Sequence, residues 1–316
     1  MRPLALDSLC RSPSGVMKSA LFILLAIFVV AYLGIWLRAL RSSKKSLQPP
    51  LVAGVPRPTW FQLAIGFVTN FFDTLGIGNF APTTAIFRFT RMVPDEDIPG
   101  TMNVGHTVPV VIEAFIYITI VKALPGTLVL MILAAVVGAW LGSGFVSRLP
   151  RRMIRIGMGL ALIAAAILMV MSQLQAFPLG GDALGLEGMQ LAIGCFGILI
   201  LGALMTIGVG LYAPCLILIC FLGMDPKAAF PVMMGACAFL MPVASTRFVR
   251  KGSYRPRPAV GLTLGGIPGV LIAAFVVTSM SLTAVRWLVV VVVSYTAVTM
   301  LWAAWKEPRS LDGKPQ

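Results

Sequence analysis

The sequence predicts an all-α polytopic membrane protein. Its plan is an inverted repeat, each half a re-entrant (broken) helix pair plus three transmembrane helices, with one extra N-terminal transmembrane helix. Three observations predict this. Of the 316 residues, 58% are hydrophobic and only 11% charged, whereas soluble domains carry about 25% charged residues. Two glycine–proline motifs break apolar stretches and are copies of one another. The basic residues form clusters whose order fits one topology only. Mean hydropathy is +0.93, and the net charge of +14 reads as basic cytoplasmic loops, not as nucleic-acid binding. The five cysteines, Cys10, Cys195, Cys215, Cys220 and Cys237, have no CxxC or Cys/His spacing. They read as small buried hydrophobes, with no metal or other cofactor implied.

Apolar stretches long enough to span, roughly 20 residues, run over 19–37, 98–121, 126–148, 151–173, 226–247, 258–279 and 283–305. The first has a short basic approach in Arg11 and Lys18, but no small-residue cleavage site follows it. It reads as a retained helix rather than a signal peptide. Residues 1–41 therefore form the N-terminal tail and extra helix, and the Pro-rich 42–59 a cytoplasmic linker. The first transport repeat covers 60–173, an external loop 174–187, the second, inverted repeat 188–305 and a cytoplasmic tail 306–316.

Two stretches, 60–90 and 188–223, depart from the simple pattern. Each carries Gly-x-Gly and then Ala-Pro between apolar segments: "TLGIGNFAPTT" at 74–84 and "TIGVGLYAPCL" at 206–216. Glycine costs a helix up to about 1 kcal/mol and proline about 3, so both helices are expected to break. The freed backbone groups are tolerated at membrane depth only where they line a protein cavity. A shift of 132 residues (206 − 74) puts Thr74, Gly76, Gly78, Ala81, Pro82, Phe89, Met92, Pro94, Pro99 and Met102 on Thr206, Gly208, Gly210, Ala213, Pro214, Phe221, Met224, Pro226, Pro231 and Met234. A weaker echo pairs "GAWLG" at 138–142 with "GGIPG" at 265–269. The chain is one helix plus two homologous halves.

Charge then decides between topologies. Basic clusters lie at Arg38–Arg57, Arg148–Arg155, Arg247–Arg257 and Lys306–Lys314, while 174–187 has no Lys or Arg. If each broken stretch crossed the membrane once, the first two clusters would fall on opposite sides. If each enters and returns on one side, all four clusters are cytoplasmic and 174–187 is external. The C-terminus is then cytoplasmic and the N-terminus outside, with Arg11 and Lys18 as the minority violation. An odd number of spans per half turns the second half upside-down, an arrangement found in secondary transporters whose site lies where the broken elements meet.

The residues "TLGIGNFAPTTAI" and "TIGVGLYAPCLIL", with "VGAWLGSGFVSRLPRRMIRIGMGLALI" at 137–163, resemble the paired motif and middle region of the TauE/SafE permeases, the sulfite exporter family. The resemblance covers roughly 60–305. It implies a bacterial cytoplasmic-membrane permease for sulfite, sulfonates or related organosulfur and small organic anions. The usual motif is richer in glycine. Here Asn79 and Phe80 stand in the first copy and Leu211 and Tyr212 in the second.

The motif suits anion capture. A half-helix N-terminus offers unpaired N–H groups and about half a positive charge, and Gly-x-Gly leaves backbone bare for close approach. Expected substrate-binding residues are Thr74, Gly76, Gly78, Asn79, Thr83, Asn103, Thr206, Gly208, Gly210 and Tyr212. The rival reading is that the glycines only permit close helix packing. Gly138, Gly142, Gly144, Gly265 and Gly269 read as packing glycines. Ionisable groups in the apolar zone are few. Asp73, His106 and Glu113 are candidates for proton coupling or gating, since a buried carboxyl can hold a proton near neutral pH; His106 and Glu113 share a helix face two turns apart. Asn70 is a further polar candidate. Arg88 and Arg91, beside "PDEDIP", read as structural. The expected partners are a small anionic substrate and membrane lipid, without nucleic acid, and a homodimer stays open. An anion channel of the same architecture is the alternative function. An intramembrane enzyme is disfavoured, because one histidine and isolated acids do not make a catalytic cluster.

Overall fold

The structure is a computed structural model that describes residues 13–42, 57–76, 78–120, 123–146, 181–206 and 210–276, with isolated positions between 153 and 174 and at 298. The expected spans 151–173 and 283–305, most of the linker 42–59, the tail 306–316, Arg11 and Gly208 lie outside the described residues, apart from those isolated positions. Among the described residues every regular element is helical: α1 (Pro13–Ser42), α2 (Trp60–Thr74), α3 (Phe80–Thr90), α4 (Ile98–Ile120), α5 (Pro125–Val146), α6 (Gly188–Met205), α7 (Tyr212–Phe221), α8 (Pro226–Lys251) and α9 (Pro256–Val276). Among the described residues, six helical segments are long and apolar enough to cross a membrane: 18–41, 95–119, 125–145, 188–205, 230–251 and 256–275.

Local chemistry explains the helix ends. α2 opens on a capping box in which Thr59 Oγ1 accepts the Gln62 N–H and Gln62 Oε1 accepts the Thr59 N–H. α2 stops at Thr74, where Gly76 and Gly78 take φ of 83° and 89°, the left-handed region that excludes a helix and favours glycine. Pro82 and Pro214 each fall in the first turn of the following helix, where the missing N–H is harmless. The closing turns of α3 and α7 are geometric copies. Met92 N donates to Phe87 O at 3.2 Å, and Met224 N, 132 residues on, donates to Ile219 O at 3.1 Å. The left-handed residue that makes this turn is Arg91 in one copy and Gly223 in the other.

Helix pairing fixes the architecture. α4 and α8, the repeat equivalents, run antiparallel at the centre: Gly100 faces Phe248 and Ser253, Thr107 Oγ1 lies 3.0 Å from Ser245 Oγ, and Gly235 faces Ile118. α2 packs on α9, and α6 packs on α5. Each broken helix is thus held by a helix of the other half. The two echo segments make these contacts in the same way. Gly138 and Gly142 lie on the backbone carbonyls of Leu199 and Ala203, while Gly265 and Gly269 lie on those of Leu63 and Phe67. A Cβ at any of the four would collide with that backbone, so these four are packing glycines, as expected. Gly144 instead lies against the Arg247 guanidinium, whose carbon sits 4.5 Å over the Trp140 ring.

The chain ends of each broken stretch lie together. Gln62, at the start of α2, reaches Met92, just past α3, at 3.6 Å. Gly181 N, before α6, donates to Met224 O, just past α7, at 3.1 Å. The first meeting lies at the N-terminal end of α4, where Arg257 Nε donates to Arg57 O at 3.0 Å and Arg255 pairs with Asp97 at 2.7 Å. The second lies beyond the C-terminal end of α4, where Leu124 N donates to Leu184 O at 2.7 Å. α1 lies along α4 and α8. Leu21, Leu25, Tyr32, Trp36 and Leu40 are buried at roughly helical spacing, while Ile23, Leu24, Ile27 and Val30 are exposed. Lys18 Nζ donates to Ile118 O at 3.1 Å, near the C-terminus of α4, where a cation is favoured.

The glycine contacts give a test. Gly138→Leu and Gly265→Leu overpack a backbone contact and should each destabilise the protein by at least about 1–3 kcal/mol. This would be read as a lowered unfolding midpoint in detergent. Gly34→Leu, where nothing lies within 4 Å of the added Cβ, should leave the midpoint in place.

Candidate functional site

The two crossovers meet at one buried polar junction. Its centre is the Glu113 carboxyl on α4, with no exposed surface. From the first crossover, Thr74 Oγ1 lies 2.8 Å from Glu113 Oε1. From the second, the Tyr212 hydroxyl, on the first residue of α7, donates to Glu113 Oε2 at 2.9 Å. One side chain therefore joins residues 74 and 212. Tyr212 stands where the first copy has Phe80, so only the second copy can make this bond.

Asp73 continues the junction. Its side chain is buried beside Glu113. Asn79 Nδ2 donates to Asp73 Oδ2 at 2.6 Å and lies 3.2 Å from Asn70 Oδ1. The Asn70 orientation is fixed by its other end: Nδ2 donates to Gly66 O at 2.7 Å, a carbonyl that can only accept. Asn70 Oδ1 therefore faces His106 Nδ1 at 3.1 Å, and that nitrogen carries the hydrogen. The far nitrogen, His106 Nε2, lies 3.1 Å from Thr83 Oγ1 on α3, which donates to it when the ring is neutral. Thr74 Oγ1 also lies 2.8 Å from Asn70 O, so a single network links Tyr212, Glu113, Thr74, Asn70, Asn79, Asp73, His106 and Thr83.

The expected site residues fall into three groups. Thr74, Asn79, Thr83, Tyr212, Asp73, His106 and Glu113 are brought together in this network. Gly76, Gly78 and Gly210 form the crossovers themselves. Asn103 and Thr206 keep to their own helices: Asn103 Nδ2 donates to Pro99 O at 2.8 Å and Thr206 Oγ1 to Ala203 O at 2.6 Å. Gly78 and Gly210, equivalent positions, have nothing within 4 Å of an added Cβ. They contrast with the four packing glycines above. Gly76 meets only the Phe230 ring, at 3.3 Å. Arg88 Nη1 donates to both carboxylate oxygens of Asp95, at 2.9 and 2.8 Å, in keeping with a structural reading of that residue.

Sequence reasoning missed Tyr117, whose hydroxyl donates to Thr74 O at 2.5 Å and whose ring stacks on Phe230 at 5.5 Å. The signal was available, since Tyr117 is four residues past Glu113 and shares its helix face. It also missed that the opposite wall is sulfur. Met205, equivalent to Asp73, lies 3.8 Å from the Cys237 thiol.

Membrane-length helices gathered around broken, polar crossovers define a multi-pass membrane transporter. The chain belongs to the sulfite exporter TauE/SafE family, whose family model matches residues 11–169 and 191–316. This match is wider than the resemblance over 60–305 and takes in α1 and the C-terminal tail. No curated protein matches the chain. No solved structure matches it.

The junction predicts strong coupling between its members. Tyr212→Phe leaves Glu113 Oε2 short of a donor and should lower stability by about 1–3 kcal/mol. In a Glu113→Gln background the same change should cost clearly less. A double-mutant cycle on detergent unfolding measures the difference.

Proposed function

We propose that the chain is a secondary transporter that moves a small anion, sulfite or a sulfonate, across the bacterial cytoplasmic membrane by alternating access of two inverted halves. The observation that carries this reading is Glu113, bonded on one oxygen to the first crossover and on the other to the second. The family description, sulfite exporter, supports the substrate class.

The antiparallel contact of α4 and α8 supports inversion. Two equivalent helices lying antiparallel against each other are related by a two-fold axis across both, and such an axis turns one half over. The exchange of partners, α2 on α9 and α6 on α5, has the same symmetry. The paired ends of 60–92 and of 181–224 support re-entrance, because a single crossing would separate them by the membrane. α6 is 18 residues long, enough to cross by length alone. Its loop contacts nevertheless keep its start beside the end of α7. The ends holding Arg57, Arg255 and Arg257 are cytoplasmic in this reading, and 181–187 is external.

In this reading the substrate lies beside Gly78 and Gly210, with Gly76 and Thr206 close by in the chain. Asn79 and Leu211 precede α3 and α7 without a side-chain cap. Asn79, Thr83, Thr74 and Tyr212 supply polar groups at the rim. Asp73 and Glu113 hold the coupling proton, and His106 orients Asn70 and Thr83.

Two experiments test the reading. In proteoliposomes the protein should give saturable sulfite flux, and Gly210→Leu, where nothing lies within 4 Å of the added Cβ, should reduce it by at least about tenfold, the effect of roughly 1.4 kcal/mol of lost binding, while the protein stays folded. Flux that rises linearly with sulfite and carries current would mark a channel and overturn alternating access. For topology, a cysteine replacing Asp182 should react with an impermeant maleimide from outside whole cells. One replacing Arg250 should react only after the inner face is opened. The reverse pattern would overturn the orientation.

A further inference from the structure

A proline inside a helix leaves the carbonyl four residues earlier without its amide. In α4 that proline is Pro109, and the carbonyl is Gly105 O. Thr263 Oγ1, on α9, donates to it at 2.7 Å. A hydroxyl from another helix thus stands in for the missing backbone bond. The fit there is close. A Cβ on Gly105 would lie 2.7 Å from Leu262, and one on Gly266 would lie 2.5 Å from both the Pro109 ring and the Asn70 amide nitrogen.

Pro109 divides the polar junction. His106 lies about one turn before it and Glu113 about one turn after. The stretch of α4 before the proline is tied chiefly to other long helices. Tyr32 on α1 donates to Val104 O at 2.7 Å, Thr107 meets Ser245 on α8, and Thr263 holds Gly105 O. His106 adds Thr83 and Asn70. The stretch after the proline is tied to the crossovers. Glu113 bonds Thr74 and Tyr212, and Tyr117 bonds the Thr74 carbonyl.

α8 is interrupted at the same level. Its interior prolines are Pro231 and Pro242. Pro231 is the repeat equivalent of Pro99 and belongs to the entry of the helix. The contacts of Gly100 with Ser253, Thr107 with Ser245 and Gly235 with Ile118 set the antiparallel register of α4 and α8, which brings Pro109 level with Pro242. The two central helices therefore lack a backbone bond side by side. The echo between 138–142 and 265–269 places Val136, which has no donor, where α9 carries Thr263, so the hydroxyl device is not duplicated.

We propose that α4 bends at Pro109 during transport and that Thr263 is the latch of that hinge, a positioning residue acting through Gly105 O. When Thr263 releases the carbonyl, the stretch carrying Glu113 and Tyr117 moves with the crossovers relative to His106. The proposal rests on the permease reading above and gives that site its moving part. A hydroxyl on a neighbouring helix parts from its carbonyl without any unwinding of α4, which a backbone amide of α4 itself cannot do.

The test is sulfite flux against concentration in proteoliposomes of the full chain, with amide hydrogen exchange over 105–113 in the same preparations. Pro109→Ala returns an amide to Gly105 O. It should lower the maximal flux by at least about tenfold while the half-saturating concentration stays within about twofold, and it should slow exchange in that turn. Its unfolding midpoint should not fall, because proline is the costliest residue in a helix interior. Pro109→Gly, which lacks the ring but bends freely, should keep most of the flux. Thr263→Val, of the same shape without the donor, should speed exchange over 105–113, and Thr263→Ser should restore it. Unaltered maximal flux in Pro109→Ala overturns the hinge and leaves the permease reading standing. A lowered midpoint in Pro109→Ala marks a purely structural proline and also overturns it. Equal exchange in the unaltered chain, Pro109→Ala and Thr263→Val overturns the latch. Absence of sulfite flux from the unaltered chain overturns the permease reading, and the hinge with it.

Discussion

A helix broken inside a membrane releases backbone N–H and C=O groups in a place without water, and each must find a partner within the protein. The structure meets this constraint with side chains concentrated at one point. Tyr117 takes the Thr74 carbonyl, Asp73 takes the Asn79 side-chain amide, and Glu113 holds Thr74 and Tyr212 at once. The remaining architecture serves that junction. α4 carries Glu113, Tyr117 and His106 on one side, and α8 backs it. α2 and α6 are held from outside their own halves, so the positions of the breaks are set by the whole bundle.

Much of the fold was legible in the sequence because it depends on quantities the sequence carries directly. Helix length follows from apolar run length, and α4, α5, α8 and α9 begin within two residues of the expected starts. The breaks follow from glycine and proline. The duplication follows from identities at a fixed shift, and the matched closing turns at Phe87–Met92 and Ile219–Met224 give it a geometric counterpart. The glycines of 138–142 and 265–269 were readable as packing residues from spacing alone. Their partners were not, since nothing local says that Gly138 meets Leu199 or that Gly265 meets Leu63.

The site was legible in composition but not in wiring. Scarcity picked out Asp73, His106 and Glu113, because few ionisable groups are tolerated in a membrane interior. The bond from Tyr212 to Glu113 joins residues 99 apart and arises only when the halves are folded together. Asn103 stays outside this wiring. Its spacing from His106 is that of one helix face, yet its amide turns back to Pro99. Side-chain bonding to a carbonyl one turn earlier competes with any outward role. The repeat in the sequence also carries a chemical asymmetry. Asp73 and Glu113 correspond to Met205 and Ser245, so one half brings charge and amides and the other brings a hydroxyl and sulfur.

The exchange of partners between halves has a consequence for how the chain is made. α2 packs on α9, with Gln62 against Gly261 and Asn70 against Gly266. At synthesis rates of about 5–20 residues per second, the helix that covers α2 emerges roughly 10–40 s after it. Throughout that interval α2 carries Asn70 and Asp73 without their final surroundings, and a lone carboxyl is poorly retained in lipid. The ribosome therefore presents the most polar of the short helices first and its cover last. The polar residues that α9 finally covers are among the first that the chain brings to the membrane.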